Sequence, residues 1–527
     1  MFALPILRKP SDLEFPADCP NPPCGPAVGF ASPLAQMVGN HYTCGVATNW
    51  VDLIGWGAQA YVANTLGFVG STNRPNKASI NRANDIVLGV PERSKIVKVR
   101  SYAGYTFILT GGGFLYVSGY NYSGMFNTGS TGESTSQFNL VTRDVKDFDV
   151  ASGGSYSGGA GFILIVKNDN KLYGAGADYK AYGLGNTQSS YTSLKYLNLD
   201  NVKKVVCTSP YQQGKSLAIQ NDGTVWACGY NDYGCLGVNS ADAIIYTWQK
   251  VQKQDTIGGL VSDLTNVIDA ITTNWVFVGG ANAGATAWSG GTNWMNSYFL
   301  TSDGFVYTCG NNKFGQLGLG QATNFATNIA TKTSIINANK IATTAGGSSI
   351  AVSTTNNELF TWGNNQWGQL GLGNQTNTNT PTKATLTFTD LIMDINGGGH
   401  YGIINGAFVI LTGIGEVHSA GFNETYALGI TTNGGPEPGP IINFTKNEYF
   451  GPNPDQIQDP ANPTQKLIAK AVDLCGYGTE MAQKTIITEN GILYMSGWNQ
   501  LVEGYWNFNP NIGTQTVQVP TKYVLSP

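Results

Sequence analysis

Side chains able to do chemistry are few in this 527-residue chain, and they are scattered. Three histidines, His41, His400 and His418, are all the imidazole there is for acid–base work. His418 lies in a strand-like run and reads as a packed or edge residue. Gly214-Lys215-Ser216 has the tail of a phosphate-binding loop, but Ser209 stands where that loop needs its first glycine. The segment also enters a strand rather than the helix N-terminus that holds phosphate. There is no Gly-x-Ser-x-Gly elbow, His-Glu-x-x-His pair or EF-hand loop. Asp144, Asp147 and Asp149 crowd around Lys146 and read as solvated strand ends.

The eight cysteines are dispersed. Cys228 and Cys309 precede the equivalent glycines Gly229 and Gly310, and Cys207 and Cys475 match one strand earlier. Thiols at equivalent strand positions read as small core residues. Cys19 and Cys24 flank a proline-rich turn, as a local disulfide or a free pair. Without a Cys-x-x-Cys there is no case for a zinc site. Catalysis, a metal and a cofactor are all unexpected. Recognition has better candidates: Trp275, Phe277, Trp288 and Trp294 share the long stretch Thr272–Asn296, and aromatic residues on loops anchor proteins and sugars well. The competing expectation is that this stretch folds over a small core of its own.

Positioning falls to a repeat. A glycine ending a strand, any residue, then Asn or Asp recurs seven times, with the glycine at Gly119, Gly176, Gly229, Gly310, Gly363, Gly421 and Gly497. A second phrase follows, clearest in Gly315-Gln316-Leu317-Gly318-Leu319-Gly320 and Gly368-Gln369-Leu370-Gly371-Leu372-Gly373. Upstream stand hairpin marks, Asn221-Asp222-Gly223, Ser302-Asp303-Gly304 and Glu489-Asn490-Gly491, between short β-branched or aromatic runs. One strand earlier lies a further apolar run, such as Val202–Val206 or Val267–Ile271. Each copy thus supplies about four short strands, too few to bury their own faces, and stacking the copies around an axis covers them. The marker glycines are expected to let the chain turn and pass close to the neighbouring unit, and the Asn to close an Asx-turn.

Trp362-Gly363-Asn364-Asn365-Gln366-Trp367-Gly368-Gln369-Leu370-Gly371-Leu372-Gly373 closely resembles the repeat of the regulator-of-chromosome-condensation family. The resemblance spans roughly 96–527, is strongest in the fourth and fifth copies, and is nearly lost at Gln500–Gly504. It implies an all-β, seven-bladed β-propeller, and it makes His400, in Gly397-Gly398-Gly399-His400, a structural residue. Marker spacings of 57, 53, 81, 53, 58 and 76 residues place insertions in the fourth and seventh copies. By strand parity Thr272–Asn296 shares a face with the Gly-x-Leu-Gly loops. Asn447–Pro463, following a strand at Pro440–Phe444, lies on the opposite one. Residues 1–33, with eight prolines, read as an extended arm. Residues 34–95 show no clear repeat and are expected to cap the ring or complete a blade. Val517–Val524 is expected to be a lone fourth strand that closes the ring by pairing near Ile86–Val99.

Composition narrows the partners. Charged residues are 12% of the chain and the net charge is −4, so the basic stripe of a nucleic-acid binder is missing. Met1–Leu7 is a short apolar stretch followed, not preceded, by basic residues, the reverse of a secretory signal. No apolar run approaches the ~20 residues of a membrane helix. These readings suggest a non-enzymatic structural or binding propeller on the exterior of a virion or phage particle. Its partners would be proteins of the assembly or a surface glycan, with the N-terminal arm docked on a neighbouring subunit. The alternative is a cytoplasmic regulatory propeller. It would be a guanine-nucleotide exchange factor for a small GTPase, which the family resemblance implies, or a light-sensing type built on clustered tryptophans.

Overall fold

The computed structural model describes residues 96–497 apart from 103–104, 153–160, 186–189, 209–212, 274–294, 345–347, 389, 400–405, 424–425, 431–438, 453–466, 478–480 and 490–492. Outside that span it describes the strands Gln36–Met37, Cys44–Thr48, Leu53–Gly57, Thr72–Lys77 and Val517–Lys522. Every marker glycine lies on the third strand of its own antiparallel sheet, and these sheets span 96–142, 145–196, 202–250, 267–332, 338–383, 392–446 and 469–522. The chain is an all-β propeller.

The sheets arise from local chemistry that the repeat supplies. Gly223 and Gly304, with φ of 82° and 79°, and Asn357, with φ of 61°, turn the second strand into the third. The first strands touch in order: Ile96–Tyr102, Val145–Ser152, Val202–Thr208 and Val267–Thr272, then Ala338–Thr343, Ile392–Gly399 and Ala469–Tyr477. The fourth joins the fifth through its own sheet's second strand, Asn296–Thr301. Gln36–Met37 touches Ala469–Tyr477 and pairs in parallel with Ile96–Tyr102, joining the two ends of the series. Val517–Lys522 is indeed a fourth strand, but it pairs with Leu493–Gly497 in its own sheet rather than near Ile86–Val99. A strand end that already has an antiparallel neighbour one hairpin away satisfies its amides there.

The apolar cores lie between sheets. Phe107 and Leu115 pack with Phe148 and Val150 of the next sheet. Leu217 and Val225 pack with Val267 and Phe299 of theirs, and Phe408 and Ile410 with Ala351 and Leu359 of the preceding one. A sheet removed from its neighbours would expose both faces.

The marker glycines do something other than expected. Each has a φ between 100° and 122°. Each sits where the register to the fourth strand slips by two residues, for example between Ala227 and Gly229 or between Thr361 and Gly363. A Cβ on Gly229, Gly310, Gly363 or Gly421 would stand 2.2–2.3 Å from the carbonyl oxygen preceding its partner on the second strand of the same sheet. The close approach is therefore within the sheet. Contact with the neighbour belongs to the second phrase. A Cβ on Gly315 would strike Asn379, one on Gly318 would strike Trp362, and one on Gly371 would strike Phe444, each in the following sheet. Trp362, fully buried, donates its indole N–H back to the Gln316 carbonyl at 2.9 Å.

The marker Asn also reaches farther than an Asx-turn. Asn312 Oδ1 accepts the Leu317 amide at 3.0 Å and Asn365 Oδ1 the Leu370 amide at 2.9 Å, while their Nδ2 groups donate to the carbonyls of Gln321 and Asn374. Asn231 and Asn423 repeat the arrangement with Leu236 and Leu428. The Asx-turns belong to the residue before, Asn311 to Lys313 and Asn364 to Gln366.

Residues 34–95 contain a further sheet, Cys44–Thr48, Leu53–Gly57 and Thr72–Lys77. Its pairs Ile54↔Lys77, Gly55↔Asn76 and Gly57↔Thr72 have the offsets of Phe360↔Lys383, Thr361↔Thr382 and Gly363↔Thr378. The repeat register is thus present where the marker phrase is not. The signal was Trp56-Gly57, fifteen residues before Thr72, as Trp362-Gly363 is before Thr378.

A methyl group at Gly363 has neither a permitted backbone conformation nor space. Gly363→Ala should lower stability by about 3 kcal/mol or more, read as a loss of denaturant midpoint, whereas Gly129→Ala, with nothing within 4 Å, should cost much less.

Candidate binding surface

Strand direction gives the propeller two faces. One carries the second-to-third turns and the links from each fourth strand to the next first strand; we call it the turn face. The other carries the Gly-x-Leu-Gly loops. The 267–332 sheet has six strands because a hairpin, Gln252–Gln254 and Ser262–Asp263, adds to its outer edge by parallel pairing of Lys253 with Ala330. The hairpin runs with the fourth strand Ala326–Lys332, so its tip emerges on the turn face. Lys250 (2.5 Å) and Gln252 (2.7 Å) both bind Asp263 and hold its carboxyl below the usual range. Tyr307 donates to Asp255 at 3.0 Å, and buried Gln254 donates to Thr331 at 2.9 Å. Gln254 also accepts the Gly258 amide. Fastened this way, the tip presents Ile257, Val261 and Leu260, the last 96% exposed.

The remaining exposed aliphatic and methionine side chains among the described residues, Val97, Ile336, Leu391, Met393 and Ile414, lie on the same face. Repeat register shows how unusual some of them are. Ile414 takes the turn position that Asp169, Asp222, Asp303 and Asn356 hold in other sheets. Leu391 takes the place of Asp144, Asn201, Asn266 and Asn337, all of positive φ. Ile336 replaces Arg143, Asp200 and Thr265.

Near the axis, each first strand has a one-residue slip near its start, and the residue just after it forms a series around the ring. The series reads Lys98, Asp147, Lys204, Asp269, Lys340, Asp394, Ala471. Charges alternate, and the neutral Ala471 falls where the series returns toward Lys98 and either sign would approach its like. Lys98 meets Asp147 at 2.7 Å and Lys204 meets Asp269 at 2.5 Å. Asp147 also accepts the Val205 amide at 2.9 Å. One turn inward, Asp149 joins Arg100 (2.7 Å) to the Cys207 amide (3.0 Å). Each of these carboxylates ties three sheets together. The reading of Asp147 and Asp149 as solvated strand ends is therefore corrected: they stand within Val145–Ser152, largely buried between opposite charges. Burial lowers the Lys98 pKa, and Asp147 opposes that shift. Burial raises Asp394, against the pull of Lys340.

Several other titratable groups are also turned inward. Lys215 of the phosphate-loop look-alike is fully buried and donates to the Thr273 carbonyl at 2.8 Å, so its ammonium faces protein. Lys484 is buried against the Leu428 carbonyl, and desolvation brings it down to about 7. His418, in Val417–Gly421, is depressed by burial and lies 3.3 Å from Glu416. Cys207, Cys228, Cys235 and Cys309 are free and buried, and burial raises their thiols. Among the described residues no group of three His, Cys, Asp or Glu side chains could hold a metal, and no helix is long and apolar enough to cross a membrane.

Trp275, Phe277, Trp288 and Trp294 lie outside the described residues, as do His41, His400, Cys19, Cys24 and the arm 1–33. The ends of their loop, Thr272 and Asn296, are on the Gly-x-Leu-Gly face, where Gln316 Nε2 reaches Asn296 Oδ1 at 3.5 Å. The hairpin tip was missed in sequence. Gly258-Gly259 between Ile257 and Leu260-Val261 was its mark, inside a link far longer than that from Tyr196 to Val202.

The model of the Regulator of chromosome condensation (RCC1) repeat matches residues 303–352 and 356–403. Ultraviolet-B receptor UVR8 of Arabidopsis thaliana is 24% identical over 266 residues, 50% of this chain and 52% of the receptor. The secretion-regulating guanine nucleotide exchange factor of Bos taurus is 24% identical over 248 residues, 41% of this chain and 53% of that protein. The chain spans no more than about half the length of the curated relatives it matches. Among solved structures, Prp20p of Saccharomyces cerevisiae shares the fold, with a TM-score of 0.50 at 16% identity over 91% of this chain and 87% of Prp20p.

Two outcomes follow from the buried charges. Asp147→Ala should cost about 2–4 kcal/mol by stranding the Lys98 ammonium and the Val205 amide, and adding Lys98→Met should recover more than half of the lost denaturant midpoint. Asp178 stands in for the marker Asn of the 145–196 sheet, and burial raises its carboxyl to about 6 while the amides of residues 180–182 face it without full hydrogen bonds. Because the folded state holds that proton more tightly, stability falls as pH rises from about 4 through 6. Asp178→Asn should therefore stabilise by about 1–2 kcal/mol above pH 6 and by nearly nothing below pH 4, read as melting temperature against pH.

Proposed function

We propose that this chain, a propeller built of regulator-of-chromosome-condensation repeats, is a non-enzymatic binding propeller that docks a protein partner through the hairpin tip at Ile257, Leu260 and Val261. The observation that carries this reading is Leu260, 96% exposed on a hairpin whose base is fixed by four side-chain contacts. An aliphatic tip held rigid loses little conformational freedom on binding, so burying it in an apolar pocket is favourable. The partner class is a protein of a larger assembly, and the location we propose is the exterior of a virion or phage particle. A surface of low charge supports that placement.

A second reading comes from the relatives: one is a secretion-regulating guanine nucleotide exchange factor, and the Prp20p structure is described with its binding to Gsp1p and histones. On that reading the turn face would engage a small GTPase.

The two separate experimentally. In purified particles the chain should occur at fixed stoichiometry, and Leu260→Asp with Ile257→Ser should drop incorporation at least tenfold without moving the melting temperature. A free monomer that accelerates GDP release from a small GTPase, unaffected by those substitutions, would overturn the assembly reading in favour of the second.

A further inference from the structure

The strand Gln36–Met37 pairs in parallel with Ile96–Tyr102, Gln36 opposite Arg100 and Met37 opposite Ser101. Ile96–Tyr102 starts at the turn face, so parallel pairing sets the Gln36 end of the short strand toward that face. That preceding chain begins Met1-Phe2-Ala3-Leu4-Pro5-Ile6-Leu7, an apolar head joined to the propeller by a proline-rich tether. On the same face, Ile336, Leu391, Met393 and Ile414 are 37–60% exposed. Three of them stand where other sheets place Asp, Asn, Arg or Thr. Link and turn lie side by side here: the Gly413 amide donates to the Leu391 carbonyl at 2.9 Å, and the Ile414 amide to Asp390 at 2.6 Å. Asn357 bonds the carbonyls of Phe388 and Asp390, bringing the turn beside Ile336 against the same link. These side chains therefore lie on the links and turns of two adjacent sheets, with no apolar cover from the described residues.

We infer that the apolar head Phe2–Leu7 of the same chain is the ligand of this patch. Reach permits it: the 28 residues between Leu7 and Gln36 span up to about 85 Å when extended as polyproline II, against a radius of gyration of about 22 Å for a domain of this size. Tethering favours it, because a head on such a tether is present at an effective concentration on the order of millimolar. A contact too weak to recruit a separate molecule is then closed within one chain. Chemistry matches, since the exposed side chains of both surfaces are apolar, the Asp390 carboxylate within the patch is already occupied by the Ile414 amide, and the basic pair Arg8-Lys9 falls just outside the apolar head. This contact is independent of the hairpin tip, which lies on another sheet's outer edge.

The test uses the full chain with a photoactivatable benzoylphenylalanine in place of Leu4, prepared as an equal mixture of isotopically light and heavy protein. Irradiation and peptide mapping should give crosslinks within single chains to peptides containing residue 336, 391–393 or 414. Leu391→Asp with Ile414→Asp should reduce that yield at least fivefold. Phe2→Ser with Ile6→Ser, which leaves the propeller untouched, should raise hydrogen exchange at residues 390–393 and 411–416. Crosslinks only between light and heavy chains would make a second copy the occupant and overturn the inference. Crosslinks confined to other surfaces would overturn it too, as would unchanged exchange in the arm variant. Neither result would bear on Leu260, whose variant is scored by incorporation into particles.

Discussion

Burial in this protein is shared: the apolar residues of each sheet find their cover on the sheets beside it, so no sheet has a core until its neighbours are in place. Phe107 needs Phe148, Leu217 needs Phe299, and Phe408 needs Leu359. Stability is then a matter of contacts between adjacent units, and most other features of the chain serve to set the spacing and order of those units. The second phrase does so at the rim. Its glycines let one sheet's loop lie flat on the next sheet's Trp362 or Phe444, and the marker Asn holds the loop in shape by bonding an amide five residues away.

At the axis the same ordering is done with charge. Alternating Lys and Asp at one register position gives the first strands carrying Asp147, Lys204, Asp269 and Lys340 an opposite charge on either side in the series. Lys98 and Asp147, and Lys204 and Asp269, close to ion-pair distance. Partly buried pairs of this kind add little net stability, but a misplaced sheet would bring like charges together. The belt thus resists exchange of sheet order, which is a particular hazard for a protein made of similar units. It also uses up the charges near the axis, and that is why the most obvious candidates for contact with other molecules are aliphatic and lie on the turn face.

Repetition supplies its own standard of comparison. A hydrophobic residue on a surface is ordinary, and Ile414 or Leu391 alone would call for no explanation. Four other sheets show what stands at each of those positions, a polar residue and, at the place of Leu391, one of positive φ. Departure from that standard separates surface kept for contact from surface that merely faces water.

From sequence alone came the all-β propeller, the sheet-forming repeat and the placing of Lys215 at a strand rather than in a phosphate loop, because hairpin turns and strand alternation are local and each marker glycine needs a φ that only its own few neighbours impose. The axial belt was also written there, as Lys or Asp two residues after Ile96, Val145, Val202, Val267, Ala338 and Ile392, but its meaning was not: a Lys and an Asp some fifty residues apart become partners only when two sheets are laid side by side. The same holds for the sheet at Cys44–Lys77, whose register matches a repeat though its phrase does not, and for the strand that pairs with Ile96–Tyr102, which proved to be Gln36–Met37 and not the C-terminal one. Which glycine approaches its own sheet and which approaches the next, and which apolar residues are left bare on the turn face, are facts of packing between units distant in sequence, so the tertiary structure alone decided them.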